Sequence, residues 1–557
     1  AMALARFGAA VAALLAGRCS ALAPLDPAKG CNGDPGLCFL RFNQVTWAGM
    51  HNADSTDLKF RGKANLGCLT NNHEHHLVGE LEDGLRFFDI DTCLVNVGGK
   101  EDIQICHGPA YGRMLEDELK AMKKWMEENP REVAIISFMN ANAGEDTDPA
   151  KMRMMLILTA QVKEILGSLL MTPKLRKGVP IEGWPTLGEM VEKKQTIVAL
   201  WGKRLYYQIY MKDKKTPGFR DQHIWFDKNW AMTYDSSYRT AFAHGLADKL
   251  THFCDEPDDK KRFAKKQPMV MADGYLTLNP RARPLSFCNK DLAGDVNPVL
   301  LESSDLKKNP LLEMQSNCWK KKKFMSIVSM DYVEYFPEHL DTLGRALNMQ
   351  NFQRFGWIGG SIEVTGKHKD ASTDDLKVFL AKFGGVDSRR ISIESDGAAA
   401  TSRRLAGAAA AHSKTVHFSI HAPKDSADAM HEIPNADVLA KIKKEASSDS
   451  SVASVKAVCP DPGTPSKATR AQATSAHFDE GTTLKFVCEG DLIAHGDTTR
   501  VCGPDGIFTG IQPRCLPGWT KQVRLMPFWV KVIIVSSIVL CALGCLCGCI
   551  ICTVMKI

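Results

Sequence analysis

The chain has 557 residues, too many for one ordinary domain. Its 70 Lys and Arg against 64 Asp and Glu leave a net charge of only +6. No long basic stripe alternates with aromatics, so nucleic acid is not the favoured partner.

In chain order, residues 1–23 read as a signal peptide. Arg6 precedes an apolar stretch, and the small residues Ala21 and Ala23 mark a cleavage site after Ala23. From residue 43 to 355 strand-like runs alternate with helical ones. "NQVTWAGMHN" is a strand ending at His51, "LRFFDID" the second, "DIQICHG" the third and "EVAIISFMN" the fourth. "GRMLEDELKAMKKWMEENP" has helical spacing of Met114, Leu115, Leu119, Met122 and Trp125, with Pro130 as its stop. "QTIVALWG", "PMVMADGYL" and "FMSIVSMDYVEY" are later strands. This α/β alternation fits a parallel barrel or a doubly wound sheet. No glycine-rich phosphate loop follows the first strand, which argues against a nucleotide-binding sheet.

Residues 360–457 change texture. "SIEVTGK", "TDDLKVFLAKFG", "RISIESDG", "TVHFSIHA", "NADVLAKIKKEA" and "VASVKAV" read β-α-β-β-α-β, the split, ferredoxin-like α+β order. Residues 459–515 hold four cysteines among glycine turns, the mark of a small disulfide-stapled β module. From Val532 to Val554 the chain carries no charge and is long enough to span a bilayer. With the signal peptide, this predicts a single-pass type I protein of the cell surface or endomembranes. Lys521, Arg524 and Lys531 before the span run against the positive-inside rule, and a removed lipid-anchor signal is the alternative. Even cysteine counts, eight from Cys31 to Cys318 and four from Cys459 to Cys515, suit an oxidising compartment. Cys31 with Cys38 and Cys93 with Cys106 are plausible pairs; spacing alone does not fix connectivity.

The second strand poses a question of charge. Asp89 and Asp91 lie on one face of it, about 6.5–7 Å apart along the strand. Two carboxylates so placed in a low-dielectric site call for a proton or a cation. In a barrel, chemistry sits at the C-terminal strand ends. There the sequence delivers His51 and Asn52, then Asp89 and Asp91, then His107, from three consecutive strands. "NNHEHHL", with His73, His75 and His76, matches no standard zinc spacing and reads as a solvated turn or helix start. Lys320 to Lys323 read as a solvated edge at the barrel's bottom, and Asp331, near the end of the last strand, is placed to orient a catalytic histidine or to serve structure.

"AGMHNADS", "GELEDGLRFFDIDT", "DIQICHG" and "MEENPREVAIISF" resemble the X-region of phosphatidylinositol-specific phospholipase C and its relatives. "WPTLGEMVEKKQTIVALWG" and "FMSIVSMDYVEYF" are similar to later segments of that superfamily, so the resemblance covers about residues 43 to 350. It implies a TIM-type (β/α)8 barrel and a membrane-anchored, extracytosolic phosphodiesterase. The implied substrate is an inositol phospholipid or a glycosylated phosphatidylinositol, cleaved to a cyclic inositol phosphate and a lipid alcohol. By resemblance His107 matches the general acid and His51 the phosphate-stabilising histidine, with Asp89 in the catalytic set. Asn52, Asp89 and Asp91 match the ligands of the calcium-dependent members; Mg2+, or no metal, is the alternative. The fourth-strand acid of those members aligns with Met139, or with Asn140 after a one-residue shift, leaving Glu145 or Asp146 to compensate. A catalytically degenerate barrel acting as a surface adhesion or receptor protein is the rival function. The module at 459–515 resembles a sushi (complement-control) repeat. That implies bridges Cys459 to Cys502 and Cys488 to Cys515, Phe508 in place of the usual Trp, and a protein partner as a further expectation.

Overall fold

The computed structural model describes residues 30–60, 70–142 (except 109), 148–171, 175–176, 179–180, 184–201, 224–225, 231–232, 270–273, 309–321, 326–331, most of 344–356, 358–393 (except 369), 413–421 and 434–517 (except 466, 474 and 476). The expected signal peptide, the expected membrane span and the loop acids Glu145 and Asp146 lie outside these residues. Among the described residues no helix is long and apolar enough to cross a membrane.

The first unit begins with β1 (Trp47–Met50), helix α1 (Leu77–Glu82) and the long β2 (Phe87–Val97). Gly49 lets β1 approach β2: a Cβ there would sit 2.5 Å from the Phe87 ring and 2.6 Å from the Phe87 carbonyl oxygen. Next come β3 (Lys100–His107), β4 (Ala110–Met114), α2 (Leu115–Glu128), β5 (Ala134–Asn142) and α3 (Asp148–Leu166). In α2 the buried stripe is Leu115, Leu119, Met122 and Met126, and Glu116, Asp117 and Glu118 set negative charge at the positive end of the helix. The unit continues with α4 (Leu187–Glu192), β6 (Ile197–Trp201), β7 (Ile224–Trp225), β8 (Ala231–Met232), β9 (Val270–Asp273), α5 (Pro310–Lys320) and β10 (Ile327–Met330).

Eight of these strands run parallel in the order β7-β6-β5-β2-β1-β10-β9-β8. Chain neighbours are sheet neighbours, and the last strand lies beside the first, as a barrel requires. Among the described residues β7 and β8 do not pair, so a closed ring is not shown. One expected strand is reassigned. "DIQICHG" is β3, and it pairs antiparallel with β2 rather than joining the parallel set. His107 therefore arrives on a hairpin folded back from β2, stapled by Cys93–Cys106, and the third parallel strand is β5.

Alternate strand residues enter different cores. Met50, Phe88, Phe138 and Met330 pack with Leu119, Met122 and Leu158 of the helices. Trp47, Phe87, Ile135, Leu200 and Ile327 pack together on the other side. Burial on both faces is what a parallel sheet flanked by helices demands. Asp89 and Asp91 share the phase of Phe87, on the strand face opposite Phe88.

The second unit runs β11 (Ile358–Thr365), α6 (Thr373–Gly384), β12 (Ile391–Ile393), β13 (Ser413–Ile420), α7 (Asn435–Ala446) and β14 (Val452–Pro460). Its antiparallel sheet has the order β12-β13-β11-β14. Ser372 caps α6 through a capping box with Asp375, and Gly385 ends it at φ 65°. Leu376, Phe418 and Val438 join the core that also holds Trp47 and Phe87. The sheet does not stop at β14, because β15 (His477–Asp479) pairs with it, setting Cys459 opposite Phe478. Cys459–Cys502 and Cys488–Cys515 close the last module, and Phe508 packs edge-on against Phe478 at 5.8 Å. The Arg345 guanidinium donates to the Gln512 carbonyl, tying this module to the first unit.

Candidate active site

The loop after β1 is the centre of the site. His51 keeps the strand's ladder, its N–H donating to the Met330 carbonyl at 3.0 Å. Its ring Nδ1 lies 2.8 Å from Asp331 Oδ1, one residue past the end of β10. A carboxylate on Nδ1 fixes the ring and its tautomer. The chain then reverses at Asn52, φ 50°, a conformation Asn accepts more readily than most residues. Ala53 N–H donates to the Asp89 carbonyl at 2.5 Å, which binds the loop to β2.

His107 comes in from the tip of the hairpin. Its Nδ1 is 2.7 Å from the Thr70 carbonyl oxygen, which can only accept, so Nδ1 carries a proton. Its Nε2 is 3.3 Å from Asn52 Nδ2, which also donates to Asn72 Oδ1 at 3.3 Å. The arrangement holds the neutral ring with its lone pair on Nε2. For His107 to carry a proton at Nε2, the Asn52 amide has to turn its oxygen toward the ring.

Asp89 and Asp91 are both buried, at 2% and 3% exposure. The pairing of β2 with β5 shifts register between Ile90, opposite Phe138, and Thr92, opposite Ala141. Asp91 thus stands across from both Met139 and Asn140, a bulge that explains why the sequence aligned equally with either. Asn52, Asp89 and Asp91 are hard oxygen donors, and their chemistry fits Ca2+ or Mg2+ rather than a soft metal.

Two contributors, Thr70 and Asn72, were not singled out from sequence, and His73 was named there only within a solvated turn. His73 Nε2 donates to the His51 carbonyl at 2.6 Å, and Asn72 N–H donates to the Ser55 carbonyl at 3.0 Å. The segment "TNNHEHH" is therefore the brace of the site rather than a solvated turn; Asn72 and His73 are 2% and 1% exposed. So many polar residues in a row, buried, was the available signal. The three histidines go separate ways: His75 to Asp83 Oδ2 and His76 to Asp54 Oδ1, each at 2.7 Å. Lys320 ends α5, before β10.

Residues 37–239 match the family model described as PI-PLC X, and residues 459–515 match that of the sushi (SCR) repeat. The chain carries a phosphatidylinositol-specific phospholipase C X region and a sushi repeat. It is 25% identical over 167 residues to an uncharacterized secreted protein of Arthroderma benhamiae, which amounts to 29% of this chain and 33% of that one. The chain thus spans about a third of the curated relative it matches. Among solved structures it is similar to the phosphatidylinositol-specific phospholipase C of Listeria monocytogenes, at 15% identity and a TM-score of 0.34, covering 53% of this chain and 90% of that one. The Staphylococcus aureus enzyme of the same name gives 14% identity and a TM-score of 0.33 over 54% and 93%.

Proposed function

We propose that the chain is a phosphodiesterase that cleaves an inositol phospholipid, or a glycosylated phosphatidylinositol, by internal phosphoryl transfer. The observation that carries this is the pairing of two histidines with fixed tautomers, His51 on Asp331 and His107 on Thr70, around Asn52. In the reaction the ring hydroxyl beside the phosphate gives its proton to a general base and its oxygen bonds to phosphorus. The bond from phosphorus to the lipid oxygen breaks, and that oxygen takes a proton, giving a cyclic inositol phosphate and a lipid alcohol. His107 delivers the proton to the lipid oxygen. His51, oriented by Asp331 through Nδ1, stabilises the phosphate with Nε2 when the ring carries both protons. A divalent cation held by Asn52, Asp89 and Asp91 would supply positive charge at the non-bridging oxygens. Asp89 also fixes the loop through its carbonyl, on which Ala53 N–H rests.

The sushi repeat and the disulfides support an extracellular or cell-surface setting. The full reading is a type I protein anchored by residues 532–554, with the sushi repeat open to a protein partner. The test is hydrolysis of phosphatidylinositol in vesicles by the purified protein with Ca2+ or Mg2+. Cyclic inositol phosphate should form, and His107→Ala should slow turnover by about 10²–10⁴-fold. Met139 and Asn140 opposite Asp91 favour a second reading, a barrel kept as a binding scaffold. That reading stands if no inositol lipid is cleaved and His107→Ala and Asp89→Asn leave folding and partner binding unchanged.

A further inference from the structure

A second cluster of ligating groups lies beside the catalytic loop and takes no part in the reaction above. Asp54, His76 and Glu118 each place a potential ligand atom within 4.8 Å of the other two. They come from three separate elements: the loop after β1, the residue preceding α1, and α2. Asp54 and Glu118 are 1% and 3% exposed, and His76 is half-buried. One Asp54 oxygen, Oδ1, is 2.7 Å from His76 Nδ1; the other, Oδ2, is buried and makes no hydrogen bond.

We propose that Asp54, His76 and Glu118 form a metal site for a divalent transition ion of the zinc class, distinct from the Asn52, Asp89 and Asp91 set. One imidazole and two carboxylates supply three protein ligands and leave the fourth position of a tetrahedral ion to water. The donor set differs in kind from the all-oxygen set next door, since imidazole nitrogen favours zinc over calcium.

The surroundings are built for a cation. Arg113 Nη1 holds Glu118 Oε1 at 2.9 Å, which fixes that carboxylate on α2. Asp54 stands at φ 59°, and its N–H donates to Glu80 Oε1 at 2.9 Å, so the chain accepts a strained turn to put this carboxyl here. Asp54 Oδ2, buried and without a hydrogen bond, is the oxygen left for an ion to take. Such an ion would tie the loop carrying Asn52 to α2.

The test is calorimetric titration of the full chain with zinc sulfate in the presence of excess calcium. One ion should bind per chain. Asp54→Asn, His76→Gln and Glu118→Gln should each weaken it by at least about tenfold, and Asp89→Asn should leave it unchanged. Zinc should raise the unfolding temperature of the wild type but not of His76→Gln, and X-ray absorption should show a mixed nitrogen and oxygen shell. If one variant fails to fold, the other two and the absorption spectrum decide. The proposal is overturned if the folded wild type takes up no zinc saturably, if uptake survives all three substitutions, or if Asp89→Asn abolishes it.

Discussion

His51 is the residue whose surroundings say most about its work. Its backbone is held by Met330 and His73 and its ring by Asp331, so a side chain 18% exposed has little freedom left. In the proposed reaction Asp331 acts through His51 as a positioning residue. Asp331→Asn should lower kcat on phosphatidylinositol by about 10-fold or more with little change in KM. A change in KM alone, with kcat intact, would assign Asp331 to structure. His51, Asn52, Asp89, Asp91 and His107 stood out in the sequence because polar residues in or beside apolar strands call for a reason. Thr70 was not, since its part is played by a backbone carbonyl. Backbone acceptors carry no side-chain signature, and only the fold reveals which one faces a histidine.

Among the elements, the hairpin of β2 and β3 shows what a period-two pattern leaves undecided. "DIQICHG" alternates like any strand, and alternation does not distinguish parallel from antiparallel pairing. The turn does. Only Gly98 and Gly99 separate β2 from β3, at φ 60° and 87°. A parallel crossover needs about a dozen residues, whereas two glycines with positive φ make a tight hairpin. Cys93–Cys106 closes this hairpin with a sequence separation of 13. Replacing both cysteines by Ala should cost about 3 kcal/mol in urea unfolding. It should also slow hydrolysis, because the rung that follows Cys106 carries His107; unchanged turnover would mean that Thr70 alone suffices to hold the ring. In the α+β unit, His421 sits beside β13 with Ser419 Oγ 3.0 Å from its Nε2. Burial pulls its imidazole down from the ordinary 6.5 to about 4. The unfolded chain therefore takes up this proton first. The stability this gives is complete above pH 6.5 and is lost as pH falls through about 4, roughly 3 kcal/mol in all. His421→Gln should shrink the gap in urea midpoint between neutral pH and about pH 4.5, and an undiminished gap would place the acid sensitivity elsewhere.

At the scale of the whole molecule, the α/β character of the first unit was readable from the alternation of strands and helices. The joining of the units was not, because it depends on contacts between residues far apart in sequence. Phe352 and Phe355 sit in the same core as Leu376 and Val438, and Ile511 of the sushi repeat is buried with the helix-side core of the first unit. Cys459 lies within β14, a strand of the α+β sheet, while its bridge partner Cys502 lies in the repeat. Replacing Cys459 and Cys502 by Ala should cost about 2–5 kcal/mol. Hydrogen exchange should show the loss in β11 and β14 as well as in the repeat. Protection lost from the repeat alone would show that the two fold independently. The shared strand has a mechanical meaning too. A sushi repeat on a flexible tether can swivel while the rest of its protein stays put. Here β14 passes from one unit into the other without a hinge, so a pull or twist applied at the repeat arrives at the α+β sheet as torque. A load taken up at the repeat thereby sets the attitude of the α+β sheet as well.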